Sequence, residues 1–405
     1  MIRKTKINDM LITLVLIAQL GFHTNVPHDD IISLAITFIC LIGISYNRGS
    51  VTLNLDRSVK NSIIWYSTFV FFCFVSIFWA THRNRSMVLQ LIVEVYIPFV
   101  LTALAISGYL KKEENPHHLL ALLIYSECFV CIRALLNTPI QIITNMDSRL
   151  YGSGLGVNYN HFTTQLTLIV CIEAFQYFVM REKRIINKVV FSFLIFNIIL
   201  SGSRKAIFSS VFIIAITYII SDWRKKGKTL LKIIVALLAV YGVFYLTINN
   251  AFLFDLVGNK MLALVNTLFK DGAGIRLDNS ALVRNELREK AISVFLSHPL
   301  LGVGYYCFPH YNTYGLYAHS NYFEILADLG IGGFATYYSL YFSQLFTGIQ
   351  RIKKKNNSYE LLKVLFFVTL LILEYAQVTF YRMYSLVPLL VVYIVIEYTR
   401  ARERK

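Results

Sequence analysis

The sequence has 405 residues, of which 56% are hydrophobic and only 15% are charged, and its mean hydropathy is +0.56. A soluble protein of this length carries about a quarter charged residues, so the composition excludes an ordinary soluble domain. The formal net charge of +16 could suggest a nucleic-acid partner, but the distribution of the charge along the chain, described below, indicates otherwise.

The apolar residues occur in blocks of roughly 17 to 25, the length that crosses a hydrocarbon core of about 30 Å. About twelve blocks meet this criterion, and they predict an all-α, polytopic integral membrane protein. The predicted spans lie at 8–24, 31–47, 61–80, 86–108, 117–136, 160–180, 187–201, 204–221, 229–249, 322–349, 360–380 and 384–398.

Basic residues are concentrated at both termini and in alternate loops between the spans. They include Arg3/Lys4/Lys6, Arg48/Arg57/Lys60, Lys111/Lys112, Arg181/Lys183/Arg184/Lys188, Arg224/Lys225/Lys226/Lys228, Arg351/Lys353/Lys354/Lys355 and Arg400/Arg402/Arg404/Lys405. This distribution follows the positive-inside rule and predicts that both termini are cytoplasmic. The surplus of positive charge therefore indicates topology, and no nucleic-acid partner is expected.

One long polar interval interrupts the apolar spans. The sequence thus divides into spans one to nine in residues 1–250, a large extracytoplasmic loop in 251–320, and spans ten to twelve in 321–405. Because helices that cross a bilayer need little polar sequence between them, we expect the loop to carry part of an active site. Within it, residues 260–270 are a candidate surface helix.

A better helix is predicted at 280–296, where Arg284 and Arg288 are four residues apart and share one face. The opposite face carries apolar residues that can pack against the membrane domain. The alternative is a solvated helix face on which Glu286 and Glu289 pair with the arginines.

Arginines collect in the loops that this topology places outside, where the positive-inside rule would deplete them. These residues are Arg83, Arg85, Arg149, Arg204, Arg276, Arg284, Arg288 and Arg382. The guanidinium fork donates two parallel hydrogen bonds to phosphate, so the cluster predicts a phosphate-bearing substrate on the outer leaflet. The alternatives are interfacial anchoring by Arg83 and Arg85, and a plain flexible turn in the glycine-rich stretch after Arg149.

His319 follows the long loop at the point where the chain re-enters the membrane, and Ser320 and Asn321 come directly after it. An isolated interfacial histidine is commonly an anchor. A histidine that follows two aligned arginines on such a segment is instead a candidate general base, and Asn321 is a candidate substrate-binding residue. The tyrosine-rich run between 305 and 317 suits either a membrane interface or stacking on sugar rings.

At these residues the chain resembles the O-antigen ligase/O-antigen polymerase superfamily of bacterial surface polysaccharide assembly. Three stretches carry the resemblance, and their order and spacing match the family. They are Gly202-Ser203-Arg204, the run from Arg284 through His298-Pro299 to Gly302-Val303-Gly304, and His319-Ser320 followed by Gly330-Ile331-Gly332-Gly333. The resemblance covers residues 150–349 and implies a membrane fold resembling GT-C type glycosyltransferases.

The resemblance implies an inverting glycosyltransferase that uses neither a metal nor another cofactor. Its donor would be an undecaprenyl-pyrophosphate-linked oligosaccharide. Arg204 and Arg284 would hold the pyrophosphate leaving group, with Arg288 in support, and His319 would be the general base. Arg288 departs from the family pattern, in which an aromatic residue is expected. Arg83, Arg85, Arg149, Asn321 and Arg382 complete the predicted substrate-binding set.

The superfamily contains polymerases, which join lipid-linked repeat units, and ligases, which transfer the finished glycan to lipid A-core. Overall similarity favours a polymerase of O-antigen or capsule in the bacterial cytoplasmic membrane, working with a flippase and a chain-length regulator. The alternative from another class is a transporter of the same lipid-linked sugars. A transporter is expected to contain repeated halves and midplane charges, and the sequence shows no internal repeat.

Overall fold

The computed structural model describes residues 2–22, 29–47, 55–111, 115–138, 159–221, 279–355 and 358–402, together with a few positions between 229 and 245. Within these ranges the chain is helical and contains no β-strand. Arg149, Arg276, the candidate helix at 260–270 and most of the predicted span 229–249 lie outside the described residues.

Thirteen α-helices are numbered here in chain order within the described part. They are α1 (Ile2–Gly21), α2 (Asp29–Tyr46), α3 (Arg57–Val75), α4 (Arg85–Gln90), α5 (Ile97–Leu110), α6 (His118–Asn137), α7 (Tyr159–Phe178), α8 (Ile185–Leu200), α9 (Arg204–Ile220), α10 (Asn279–Ser297), α11 (Asn321–Lys355), α12 (Ser358–Glu374) and α13 (Met383–Arg402). A π-helical turn, Leu91–Tyr96, joins α4 to α5, and short 3-10 turns occupy Ser76–Phe78 and Phe308–Tyr311.

Several described helices have the length and apolar composition needed to cross a membrane. Five meet both criteria: Asp29–Tyr46, Arg57–Phe78, Arg85–Leu110, His118–Asn137 and Met383–Arg402, while Ile185–Leu200 and Lys205–Ile220 are shorter apolar helices. Each predicted span except 229–249 coincides with a described helix. The prediction of an all-α, polytopic membrane protein is confirmed.

Two predicted spans are less regular than a continuous helix. The span predicted at 360–380 ends as a helix at Glu374, and the chain then turns before α13 begins. The span predicted at 322–349 is bent at Gly330, whose φ of 61° is not helical. Both departures lie next to the candidate site, where hydrogen bonds from side chains and neighbouring backbone replace those of a regular helix.

The chain divides into two compact units, one formed by Met1–Val130 with Arg284–Lys405 and the other by Cys131–Val283. In the first unit, α13 contacts α1, α3, α5 and α12. Most residues of α13 are buried, as expected for a helix that is apolar on all sides. In the second unit, α7 packs against α8 and α9. The predicted three-part division into spans and loop stays a prediction.

Candidate active site

The candidate site in the first unit rests on a close backbone contact between the turn after α10 and the bend of α11. The amides of Ile331 and Gly332 donate to the carbonyls of Pro299 and Leu300 at 2.9 and 3.1 Å. A Cβ on Gly302 would lie 2.3 Å from the backbone of Asp328, and one on Gly330 would lie 2.5 Å from that of Leu300. Both glycines also have positive φ, so the two motifs need glycine for the same contact.

The side chain of Asp328 fixes the backbone of the turn at residues 306–308 through three hydrogen bonds. Its carboxylate accepts hydrogen bonds from the amides of Tyr306, Cys307 and Phe308 at 2.8, 3.1 and 2.8 Å. Tyr306 has a φ of 58°, which is uncommon for a bulky residue and is tolerated where neighbouring groups fix the backbone. The buried carboxylate therefore holds the tyrosine-rich run in one conformation.

His319 lies at the entry to α11 and also has positive φ, 54°. Glu324, one turn into the helix, is buried, and its carboxylate accepts a hydrogen bond from the amide of Ala318. The ring of His319 lies against the ring of Tyr317, with the centroids 4.2 Å apart. The backbone and one face of the predicted base are thus held by neighbouring groups.

Tyr317 connects the predicted base to two of the predicted arginines. Burial raises the pKa of its phenol, while the positive charges of Arg382 and Arg284 oppose that rise. Both guanidinium groups therefore lie within electrostatic range of a ring that contacts His319. The structure brings together Arg284, Arg382 and His319, three residues that are far apart in the sequence, around Tyr317.

The helix predicted at 280–296 is confirmed as Asn279–Ser297. Its buried residues include Leu287 and Ala291, on the predicted apolar face. Among the described residues, neither Arg284 nor Arg288 forms an ion pair with a carboxylate. The alternative of a solvated, paired helix face is therefore not the arrangement observed.

Arg288 and Glu286, on the same helix, have other partners. Arg288 donates to the carbonyl of Tyr375 at 3.4 Å, and its guanidinium lies 4.6 Å from the centre of that ring. Glu286 accepts a hydrogen bond of 2.5 Å from the hydroxyl of Tyr314. Arg288 thus connects α10 to the turn that follows α12.

Asn321, predicted to bind substrate, is fully buried. Its carbonyl oxygen accepts from the amides of Thr379 and Phe380 at 2.9 and 3.1 Å. Its amide nitrogen donates to the hydroxyl of Tyr338 at 2.9 Å. This geometry gives Asn321 a positioning role, because it fixes the Arg382 turn to the start of α11, and its predicted contact with substrate stays untested.

The loop that contains Arg83 and Arg85 packs on the turn that follows α10. Asn84 donates to the carbonyl of Tyr305 at 2.9 Å, and the amide of Thr81 donates to that of Val303 at 3.0 Å. The side chains of Arg83 and Arg85 are exposed. Neither their predicted contact with a substrate nor their alternative role as anchors is decided by this arrangement.

Arg204 belongs to the second unit, where it is the first residue of α9. Ser203 is the N-cap, and its hydroxyl accepts a hydrogen bond of 3.5 Å from the amide of Ala206. The next basic residue, Lys205, donates to the hydroxyl of Thr164 on α7 at 2.8 Å. The predicted break between helices at 201–203 is confirmed, with Gly202 at a φ of 56°.

Three residues of the candidate site were not predicted from the sequence. Tyr317 was only one tyrosine among many, and Glu324 and Asp328 were assigned no role. The available signal was the presence of acidic residues in apolar spans, where an unpaired charge is costly. Within the described ranges, no group of three or more His, Cys, Asp or Glu residues could hold a metal ion, and metal independence stays a prediction.

These features define a polytopic, all-α membrane protein whose first unit has His319 against the Tyr317 ring and two arginines within electrostatic range of that ring. Residues 189–338 match the family model described as O-antigen ligase. The match over this part of the chain supports the O-antigen ligase/O-antigen polymerase superfamily that the resemblance predicted, and it supports a glycan-transferring enzyme. No curated protein matches the chain.

Proposed function

We propose that this protein is a polysaccharide polymerase of the bacterial cytoplasmic membrane, which joins undecaprenyl-pyrophosphate-linked repeat units on the outer face. The observation that supports the proposal is the convergence of Arg284, Arg382 and His319 around Tyr317. Guanidinium groups suit a pyrophosphate, and a neutral imidazole suits a hydroxyl that must lose its proton.

In the proposed reaction, His319 accepts the proton of the acceptor hydroxyl as its oxygen attacks the anomeric carbon of the donor sugar. The bond from that carbon to the pyrophosphate oxygen breaks, the electron pair leaves with undecaprenyl pyrophosphate, and the configuration inverts. General base catalysis contributes about 10²–10⁴-fold. Fixed positive charges of the protein, which stabilise the negative leaving group, contribute a larger part of the rate enhancement.

The arginines have different proposed roles. Arg284, which lies within electrostatic range of Tyr317, is proposed to bind the pyrophosphate. Arg204 begins α9 in the matched segment and is proposed as a pyrophosphate-binding residue on the strength of its motif alone. Arg288 positions α10 through Tyr375, so its role in holding pyrophosphate is indirect. Arg149, Arg83 and Arg85 are proposed to contact the lipid-linked substrate or the headgroups around it.

The test is complementation of a deletion strain with Arg204→Ala, Arg284→Ala or His319→Ala. We expect each variant to reach the membrane in normal amount and to yield only single repeat units. Lys290→Ala, an exposed neighbour on α10, is the matched control and should restore long chains. Unchanged chain length in all three site variants would overturn the proposal.

A ligase is the second candidate function, because the matched family model carries the description O-antigen ligase. The two functions leave different products in the deletion strain. Loss of a polymerase leaves glycan of one capped repeat, whereas loss of a ligase leaves full-length chains on undecaprenyl pyrophosphate. The lipopolysaccharide and lipid-linked glycan profiles of that strain decide between them.

A further inference from the structure

A cleft in the first unit lies between Arg382 and the helix that runs from α4 into the π-helical turn. It has a volume of about 440 Å³, including the part that is open to solvent. Its walls are formed by Met87, Gln90, Leu91, Glu94, Val95, Tyr305, Tyr306, Tyr381 and Arg382. Only Arg382 was among the predicted site residues.

One wall of the cleft is a single face of the helix from α4 into the π-helical turn. Its residues follow helical spacing, so Gln90 and Glu94 point to the same side, and the Gln90 amide donates to the Glu94 carboxylate at 2.8 Å. Apolar residues Leu89 and Val93 are exposed on the remaining surface. π-Helical turns occur frequently at functional sites, and this one begins directly after Gln90.

The opposite wall is aromatic and cationic. The rings of Tyr306 and Tyr381 lie 6.5 Å apart in an edge-on arrangement, and the guanidinium of Arg382 lies 4.7 Å from the centre of the Tyr381 ring. The Nε atom of Arg382 is buried and has no hydrogen-bond partner among the described groups. Such an atom requires an acceptor, which a bound molecule can supply.

The charges of the cleft indicate what it binds. The carboxylate of Glu94 disfavours a pyrophosphate, while carboxylate and amide oxygens accept hydrogen bonds from hydroxyl groups. Tyrosine rings provide apolar faces with polar edges, which suits a sugar ring. The strained backbone of Tyr306 is held by Asp328, so this wall is preorganised.

We propose that this cleft is the acceptor subsite, in which Glu94 and Gln90 bind hydroxyl groups of a neutral sugar that lies against the rings of Tyr306 and Tyr381. Arg382, which lines the cleft, donates to an oxygen of the same sugar. The inference rests on the proposed glycan transfer and adds the binding site for the second substrate.

The test uses the full-length protein in nanodiscs with lipid-linked repeat units as donor. The acceptor is the oligosaccharide released from the same repeat units, varied in concentration. We expect Glu94→Gln to raise the KM for the oligosaccharide about tenfold, the effect of weakening one hydrogen bond to a charged group. The KM for the lipid-linked donor should not change. Gln90→Ala, at an exposed position, should act in the same direction.

The matched control is Glu289→Gln, which makes the same chemical change at an exposed position on α10 and should leave both KM values unaltered. An increase in the donor KM alone, or no change in either KM while transfer continues, would overturn the acceptor subsite. Absence of transfer by the wild-type protein would instead contradict the proposed function, so the two failures are distinguishable.

Discussion

The side-chain amide of Asn321 donates a hydrogen bond of 2.9 Å to the hydroxyl of Tyr338. That hydroxyl in turn donates to the carboxylate of Glu374 at 2.9 Å. Because Asn321 also accepts from the backbone of Thr379 and Phe380, this chain of bonds joins three segments next to the candidate base. The irregular backbone between α12 and α13 is thereby satisfied, as a membrane environment requires.

Glu374→Ala should destabilise the protein strongly. The carboxylate accepts hydrogen bonds from the hydroxyls of Tyr337, Tyr338 and Tyr341 and from Thr379, and truncation leaves these buried donors without an acceptor. We expect a loss on the order of 3 kcal/mol, measured as a lower melting temperature in nanodiscs. Glu286→Ala, at an exposed carboxylate, is the control, and equal shifts for the two variants would contradict the structural role of Glu374.

Gly330→Ala should prevent the contact between the bend of α11 and the turn after α10. Gly330 and Gly315 have nearly the same φ, 61° and 62°, so an alanine is strained at both positions, and the ψ of −163° at Gly330 lies in a region that is essentially restricted to glycine. A Cβ at Gly330 would meet the backbone of Leu300 at 2.5 Å, whereas nothing lies within 4 Å of one at Gly315. Gly330→Ala should therefore give little folded protein and Gly315→Ala near-normal amounts by fluorescence-detected size exclusion.

The helices could be predicted from the sequence because the length of an apolar block depends only on bilayer thickness. The approach of Gly302 to Asp328 and of Gly330 to Leu300 could not be predicted, because a close contact between two backbones does not change the local periodicity of the sequence. The end of α12 at Glu374 was missed for a related reason. Hydropathy continues through Val378 and Phe380, and side chains distant in the sequence satisfy the backbone there, among them Asn321 and Tyr66.

The candidate site was partly predictable. Arg284 and Arg382 were recognised because the positive-inside rule makes outer arginines unusual, and His319 because it follows them at a membrane entry. The role of Tyr317 could not be predicted, since 26 tyrosines occur in the chain and only the fold selects one of them. The role of Glu94 could not be predicted either, because the residues that line its cleft come from three separate segments.

Tyr317 should contribute to catalysis through the shape of its ring. Because the ring lies against His319 at 4.2 Å, Tyr317→Ala removes the support on one face of the proposed base. A misplacement of about 1 Å can lower a rate by about 10²-fold, and we expect a loss of that order in the elongation rate of lipid-linked repeats. Tyr317→Phe keeps the ring and should retain most activity. A loss as large in Tyr317→Phe as in Tyr317→Ala would assign the effect to the hydroxyl instead.

Cys307 should resist alkylation in the folded protein. Burial raises the pKa of its thiol to about 11. A raised pKa means that the reactive thiolate forms only as the pH approaches 11, so at pH 8 roughly one thiol in a thousand is ionised. We expect maleimide labelling at Cys307, followed by mass spectrometry, to be negligible at pH 8 and to become rapid after denaturation.

Ser297→Cys, at an exposed position at the end of α10, is the matched control for this measurement, and the introduced thiol should be labelled rapidly at pH 8. Applied to intact cells, a membrane-impermeant maleimide should also label this thiol from outside, because the proposed topology places α10 on the outer face. Labelling of Cys307 at the same rate as the introduced thiol in the folded protein would contradict the buried turn that Asp328 holds. Labelling of the introduced thiol only after the cells are lysed would instead reverse the proposed orientation and move the whole candidate site to the cytoplasmic side.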